Sequence, residues 1–110
     1  MTTDKTGAPT TVTRRDDEFT VAVEEQTVGM TAFADRGNQR VFVHTEVDDA
    51  FEGRGLATIL VDEALKSTKA EGLRIVAVCP MVAAFLDKHE EFNDDVDPVT
   101  EDITAWLRSS

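Results

Sequence analysis

The chain has 110 residues, 22 acidic against 11 basic, one cysteine and two histidines, and a formal net charge of −11. That length supports one hydrophobic core. Cys79 alone excludes an internal disulfide or a multi-cysteine metal site, and His44 and His89 make no zinc constellation, so no metal is expected. So acidic a surface repels a phosphate backbone and speaks against nucleic-acid binding. No apolar run approaches the ~20 residues needed to cross a bilayer, so no membrane partner is expected.

The opening MTTDKTGAPTT lacks the apolar centre of a signal peptide. Residues 1–10 are expected as a disordered lead-in and residues 11–110 as a single domain. A lone cysteine fits a reducing compartment, and a cytoplasmic location is expected.

A weak strand is expected at Thr11 to Arg15. FTVAVEE alternates, with Phe19, Val21 and Val23 on one face. TVGMTAFA follows a polar break at Glu25-Gln26 as the next strand, and Gly37-Asn38 marks a turn. QRVFVHTEV alternates again. Strict alternation puts Val41, Val43, Thr45 and Val47 on one side and Phe42, His44 and Glu46 on the other. Short turns between these strands imply an antiparallel meander.

The period then changes. From Gly53 to about Ala70, Leu56, Ile59, Leu60, Ala64 and Ser67 fall at helical spacing, and Gly72 suits the left-handed C-terminal position. LRIVAVC reads as a buried strand. Pro80 opens a second helix, with Met81, Ala84, Phe85 and Lys88 in register. The strand–helix–strand unit implies one parallel pair, giving an α+β fold with a mixed sheet. The acidic run DKHEEFNDDVDPVTED reads as a solvated loop, and ITAWL as a short helix docking Ile103, Trp106 and Leu107.

Between QRVFVHTEV and the helix stands FEGRGLA. A helix start carries free N–H groups and the positive end of the helix dipole, so it can hold a phosphate. Glycines there let main chain approach a ligand with no Cβ between, and Arg54 adds a cation. No Gly-Lys-Ser/Thr follows, so this is no P-loop. The third glycine of the dinucleotide fingerprint is also missing.

Taken with its surroundings, the stretch resembles the signature of the GCN5-related N-acetyltransferases, Gln/Arg-x-x-Gly-x-Gly/Ala. It aligns with Glu52-Gly53-Arg54-Gly55-Leu56-Ala57. The order of His44-Thr45-Glu46-Val47, then GRGLA, then Cys79-Pro80, is similar to the small single-domain members, and the resemblance covers about residues 12 to 93. It implies a mainly antiparallel mixed sheet around a cofactor-binding helix. It implies acetyl transfer from acetyl-CoA to an amine, with cofactor contacts from Val47, Gly53, Arg54, Gly55, Leu56, Ala57 and Thr58. Glu52 departs from the signature, and a carboxylate there is assigned no phosphate contact.

An attacking amine must lose a proton, and the departing thiolate gains from an acid. His44 or Glu46 is the candidate base. Many relatives use a tyrosine as the acid, and this chain has none. The resemblance places Cys79 and His44 in the active site. Cys79 is then a proton donor or a transient acetyl acceptor, against the plain alternative of a small buried hydrophobe. Lys88 or His89 is a candidate for the CoA phosphates, and the acidic balance hints at a cationic acceptor. Two other readings stand beside the enzyme: a module that holds CoA or acyl-CoA with little turnover, and an interaction protein using the acidic segment and the Trp106 helix.

Overall fold

The computed structural model describes residues 2–3, 9–51 and 55–109. Six strands lie in one sheet in chain order: β1 (Thr2–Thr3), β2 (Pro9–Arg14), β3 (Glu18–Val23), β4 (Gln26–Arg36), β5 (Gln39–Val47) and β6 (Arg74–Ala77). Neighbours pair antiparallel except β5 and β6, which run parallel. The crossover between those two carries helix α1 (Leu56–Ala70). Helix α2 (Pro80–Lys88) follows β6, and α3 (Glu101–Ser109) comes last. This is the α+β class expected, mainly antiparallel with one parallel pair. Of the expected lead-in, residues 1 and 4–8 lie outside the described residues, while Thr2 and Thr3 pair with Thr10 and Pro9.

Turn chemistry explains the meander. Val23 pairs with Gln26, so Glu24 and Glu25 form a two-residue hairpin at φ 49 and 73, both left-handed. That is the type I′ geometry whose twist matches the flanking strands, held here without glycine. Arg36 pairs with Gln39 across Gly37-Asn38, where Gly37 supplies the positive φ of 59.

Helix α1 ends as its sequence suggests. Gly72 has φ 76, its N–H reaches Lys69 O at 3.0 Å, and Leu73 N reaches Thr68 O at 3.1 Å. These two bonds make a Schellman motif. The buried stripe is Leu56, Leu60, Val61, Ala64, Leu65 and Thr68. The expected stripe was turned slightly: Ile59 and Ser67 are only half-buried. Helix α2 departs further. Its buried residues are Val82, Phe85 and Leu86, while Met81 is 40% exposed. Both helices pack between the sheet and each other, so the second contact widens and rotates the apolar face that spacing alone suggests.

The main core joins α1 and α2 to Phe19, Val21, Val23, Phe33, Phe42 and Ile75. A smaller core lies on the other face, where Ile103 of α3 meets Val41 and Val76, with Trp106 and Leu107 packed against it. Arg40 is a fully buried cation inside β5. Asp35 binds its guanidinium at 2.8 and 3.0 Å, Glu71 binds it at 2.6 and 3.3 Å, and Phe33 lies under it at 4.3 Å.

The acidic run is not simply a solvated loop. Residues Glu90–Asp95 form a 3-10 turn that buries Phe92. Val96 then bridges Ile75 in parallel, and Asp97 N donates to Ile75 O at 2.8 Å. The Asp97 carboxylate accepts from Arg74 and Gln39 at 2.9 and 2.8 Å. Its acids therefore clamp the end of the sheet.

Candidate active site

Strand β6 leaves β5 early. The two pair only from Gln39 to Phe42, and there Val78 N and Cys79 N both donate to Phe42 O at 3.0 and 2.8 Å. Beyond Phe42, among the described residues, β5 pairs with β4 alone. Asp48 N donates to Val28 O at 2.7 Å. The alternation of an antiparallel ladder then turns the N–H and C=O of Thr45 and Val47 to the opposite edge, the one β6 has vacated.

A bulge sets which side chains meet that edge. Phe33 pairs with Phe42 and Ala32 with His44, so Val43 has no opposite number. One extra residue reverses the alternation beyond it. The expected face shared by Phe42, His44 and Glu46 is therefore not formed. Thr45 and Val47 turn to the Phe42 side, where Val47 packs on the main core. His44 and Glu46 turn away.

A cleft of about 1140 Å³ opens along the free edge, lined by Thr45, Val47, Gly29, Met81 and the start of α1. Its charged lining residues are Glu18, Glu46, Asp48 and Asp49, with no basic side chain among the described residues. A second pocket of about 190 Å³ lies between α1 and α2, with Lys88 and His89 in its wall. The two share Ala57, Thr58 and Met81, so they meet at the N-terminus of α1.

Among the described residues, that N-terminus has no side-chain cap. Gly55 is the N-cap at φ 76, with no acidic residue in the first turn. The first helical bond runs from Ile59 N to Gly55 O at 3.1 Å, so the N–H groups of Leu56, Ala57 and Thr58 have no intrahelical acceptor. The left-handed Gly55 position costs a side-chain-bearing residue about 1–2 kcal/mol, which explains the glycine. Leu56 is 1% exposed as a whole residue and its side chain serves the core. Glu52, Gly53 and Arg54 lie outside the described residues.

The expected catalytic residues divide into two places. His44 Nε2 lies 2.9 Å from Glu46 Oε1, with both side chains well exposed. Glu46 lines the cleft and His44 is not among its lining residues. Cys79 lies elsewhere, 3% exposed, as the N-cap of α2 with Pro80 at N1. Its sulfur meets Thr45 Oγ1 at 3.3 Å, on the face away from His44. His89 caps α2, its Nδ1 donating to Phe85 O at 2.8 Å and its ring stacked on Phe85 at 3.8 Å.

Three residues of the site were not picked out from the sequence. Thr45 stands between two named candidates in HTEV, and its hydroxyl bonds both Cys79 and Thr31. Gly29 faces Val47 across the ladder. Met81 joins both pockets, whereas its spacing had placed it in register with Ala84 and Phe85 on α2.

Residues 18–96 match the family model described as GCN5-related N-acetyl-transferase. A Staphylococcus aureus protein described as GCN5-like, solved in solution, has the same fold at TM-score 0.64 and 18% identity, over 83% of this chain and 91% of that one. An aminoglycoside acetyltransferase from an uncultured soil metagenomic sample, solved with sisomicin, aligns at TM-score 0.49 and 13% identity, over 72% of this chain and 59% of its own. No curated protein matches the chain at a significant level.

Proposed function

Since the chain belongs to the GCN5-related N-acetyltransferases, we propose that it transfers an acetyl group from acetyl-CoA to an amine held in the cleft along β5. One observation carries this reading: the vacated main-chain edge of β5 runs to an uncapped helix N-terminus, through pockets that meet there. A cofactor with amides at one end and a pyrophosphate at the other fits that sequence of groups. The N–H groups of Leu56, Ala57 and Thr58 suit the phosphates, helped by the helix dipole and by Lys88 and His89 at the far wall.

When bound, acetyl-CoA supplies the activated acetyl group. The remaining tasks fall to the chain. The Val47 N–H, free of β4, is placed to donate to a carbonyl oxygen as negative charge grows on it. Glu46 is the base candidate that lines the cleft, and His44 holds its carboxylate through the 2.9 Å contact. Proton transfer from the ammonium to Glu46 leaves the nitrogen lone pair free to attack. Cys79 stores a proton behind Thr45. Four acidic residues and no described cation line the cleft, which favours an acceptor with more than one positive charge.

A second reading, a module that holds CoA with little turnover, draws on the burial of Cys79. Calorimetry of acetyl-CoA with the wild type and Gly55→Glu tests both. Binding by the wild type that Gly55→Glu abolishes is the expected result. Mass spectrometry of a di- or polyamine incubated with the protein and acetyl-CoA then separates turnover from holding. No binding by the wild type would overturn both readings.

A further inference from the structure

Behind the cleft, three polar groups stand in a row inside an apolar core. Thr31 Oγ1 lies 2.9 Å from Thr45 Oγ1, which lies 3.3 Å from Cys79 Sγ. Thr31 is 0%, Thr45 8% and Cys79 3% exposed. Thr45 lines the cleft, and Cys79 is not among the lining residues. A hydroxyl has one proton to donate and two sites to accept. If Thr31 O–H and Cys79 S–H both donate to Thr45, its acceptor sites are filled and its own proton is left for the cleft.

Building on the acetyltransferase reading, we propose that Thr45 is the proton relay between Cys79 and the cleft, with Thr31 fixing its hydroxyl. Thr45 Oγ1 gives its proton to the leaving group in the cleft as Cys79 Sγ gives its own to Thr45. The S–H bond breaks, the O–H bond is replaced, and the sulfur keeps the electron pair. The nitrogen loses a second proton as the amide forms, and this one returns through Thr45 to Cys79 by the reverse transfers; the first leaves Glu46 for solvent, so the protein ends a turnover as it began and one proton is released. A buried thiol thereby serves a cleft it does not line.

The test compares Thr45→Val, which keeps the shape and removes the hydroxyl, with Thr45→Ser, which keeps the hydroxyl. Thr45→Val is expected to lower kcat about tenfold, the loss of one hydrogen bond to a group bearing charge, while KM for acetyl-CoA stays within about twofold. Thr45→Ser is expected to recover most of kcat. In a Cys79→Ala background, Thr45→Val should add no further loss. Unchanged kcat in Thr45→Val, failure of Thr45→Ser to rescue it, or losses that multiply in the double variant would overturn the relay. Labelling of Cys79 by iodoacetamide gives a readout independent of turnover. It should slow several-fold in Thr45→Val and recover in Thr45→Ser, and equal rates in all three proteins would also overturn the relay. A wild type that binds acetyl-CoA yet acetylates nothing would sink the acetyltransferase reading instead, with the labelling rates still deciding whether Thr45 governs the thiol.

Discussion

Gly29→Ala tests whether the position of β5 sets the active geometry. Gly29 lies opposite Val47 in the β4–β5 ladder. A Cβ there would come within 2.9 Å of Glu46 O, 3.0 Å of Val21 Cγ1 and 3.1 Å of Val47 Cγ2. The tightest of these contacts is main chain, which cannot rotate aside as a side chain end can. Relief requires β5 to shift by a few tenths of an ångström at Glu46 and Val47. Overpacking of this kind costs about 1–3 kcal/mol. For a domain near this length that lowers the melting temperature by roughly 5–20 °C. The shift also moves the Val47 N–H, so kcat should fall about tenfold even at temperatures where the variant is fully folded, because misplaced reacting groups lose rate steeply. Gly37→Ala is the control. Gly37 has φ +59 and nothing within 4 Å of a built Cβ, so that variant carries backbone strain of about 1–2 kcal/mol without a clash and should keep kcat. The assay is urea unfolding for stability and steady-state acetyl transfer for rate. A Gly29→Ala protein as stable and active as the wild type would refute the close-approach reasoning.

Two further predictions concern charge. The hydrogen bond from Arg40, together with the charges of Arg40 and Arg14, holds the Glu71 carboxyl below its ordinary value, against the opposing effect of burial. Bonds from Arg74 and Gln39 do the same for Asp97. Depressed carboxyl values contribute stability that is present above the unfolded-state pKa and lost as pH falls through the folded one. A Glu71→Gln/Asp97→Asn protein should therefore be less stable than the wild type near neutrality, with the gap closing below the ordinary carboxylate range; urea midpoints across that range check it, and a constant gap would refute it. In the cleft, replacing Glu18, Asp48 and Asp49 by their amides should raise KM for a dicationic amine about two- to fivefold per charge, and less for a monocation of similar size, as added salt should also do. Equal effects on both amines would count against recognition of the acceptor by charge.

Much of this framework was legible because its causes are local. Gly37-Asn38, Gly72 and Pro80 each solve a backbone problem at a single position, and each marks the boundary it was expected to mark. Ile103 and its neighbours show one apolar stripe with one surface to meet, and they dock as their spacing implies. Where a helix meets two surfaces, local spacing is insufficient. Helix α1 carries apolar residues nearly all round its first two turns, so the contact with α2, distant in sequence, decides that Val61 and Leu65 are buried more deeply than Ile59. Arg40 escaped notice for a similar reason. A cation in a strand reads as solvated until Asp35 and Glu71 arrive from two other elements to satisfy it.

The bulge at Val43 is the least legible feature and the one with most consequence for the site. QRVFVHTEV alternates cleanly, and nothing within β5 says that β4 supplies one residue fewer. Register is a property of the pair. Without the slip, Thr45 would share the side of Val41 and Val43, facing the small core under α3, and His44 would share the side of Phe42. With it, Thr45 reaches Cys79 while His44 and Glu46 stay exposed. The same irregularity coincides with the point where β6 parts from β5 at Phe42, so the chain opens the main-chain edge and reorients the side chains beside it within a single residue. A sheet that kept perfect alternation to Val47 would turn Thr45 away from Cys79 and leave no hydroxyl beside the buried thiol.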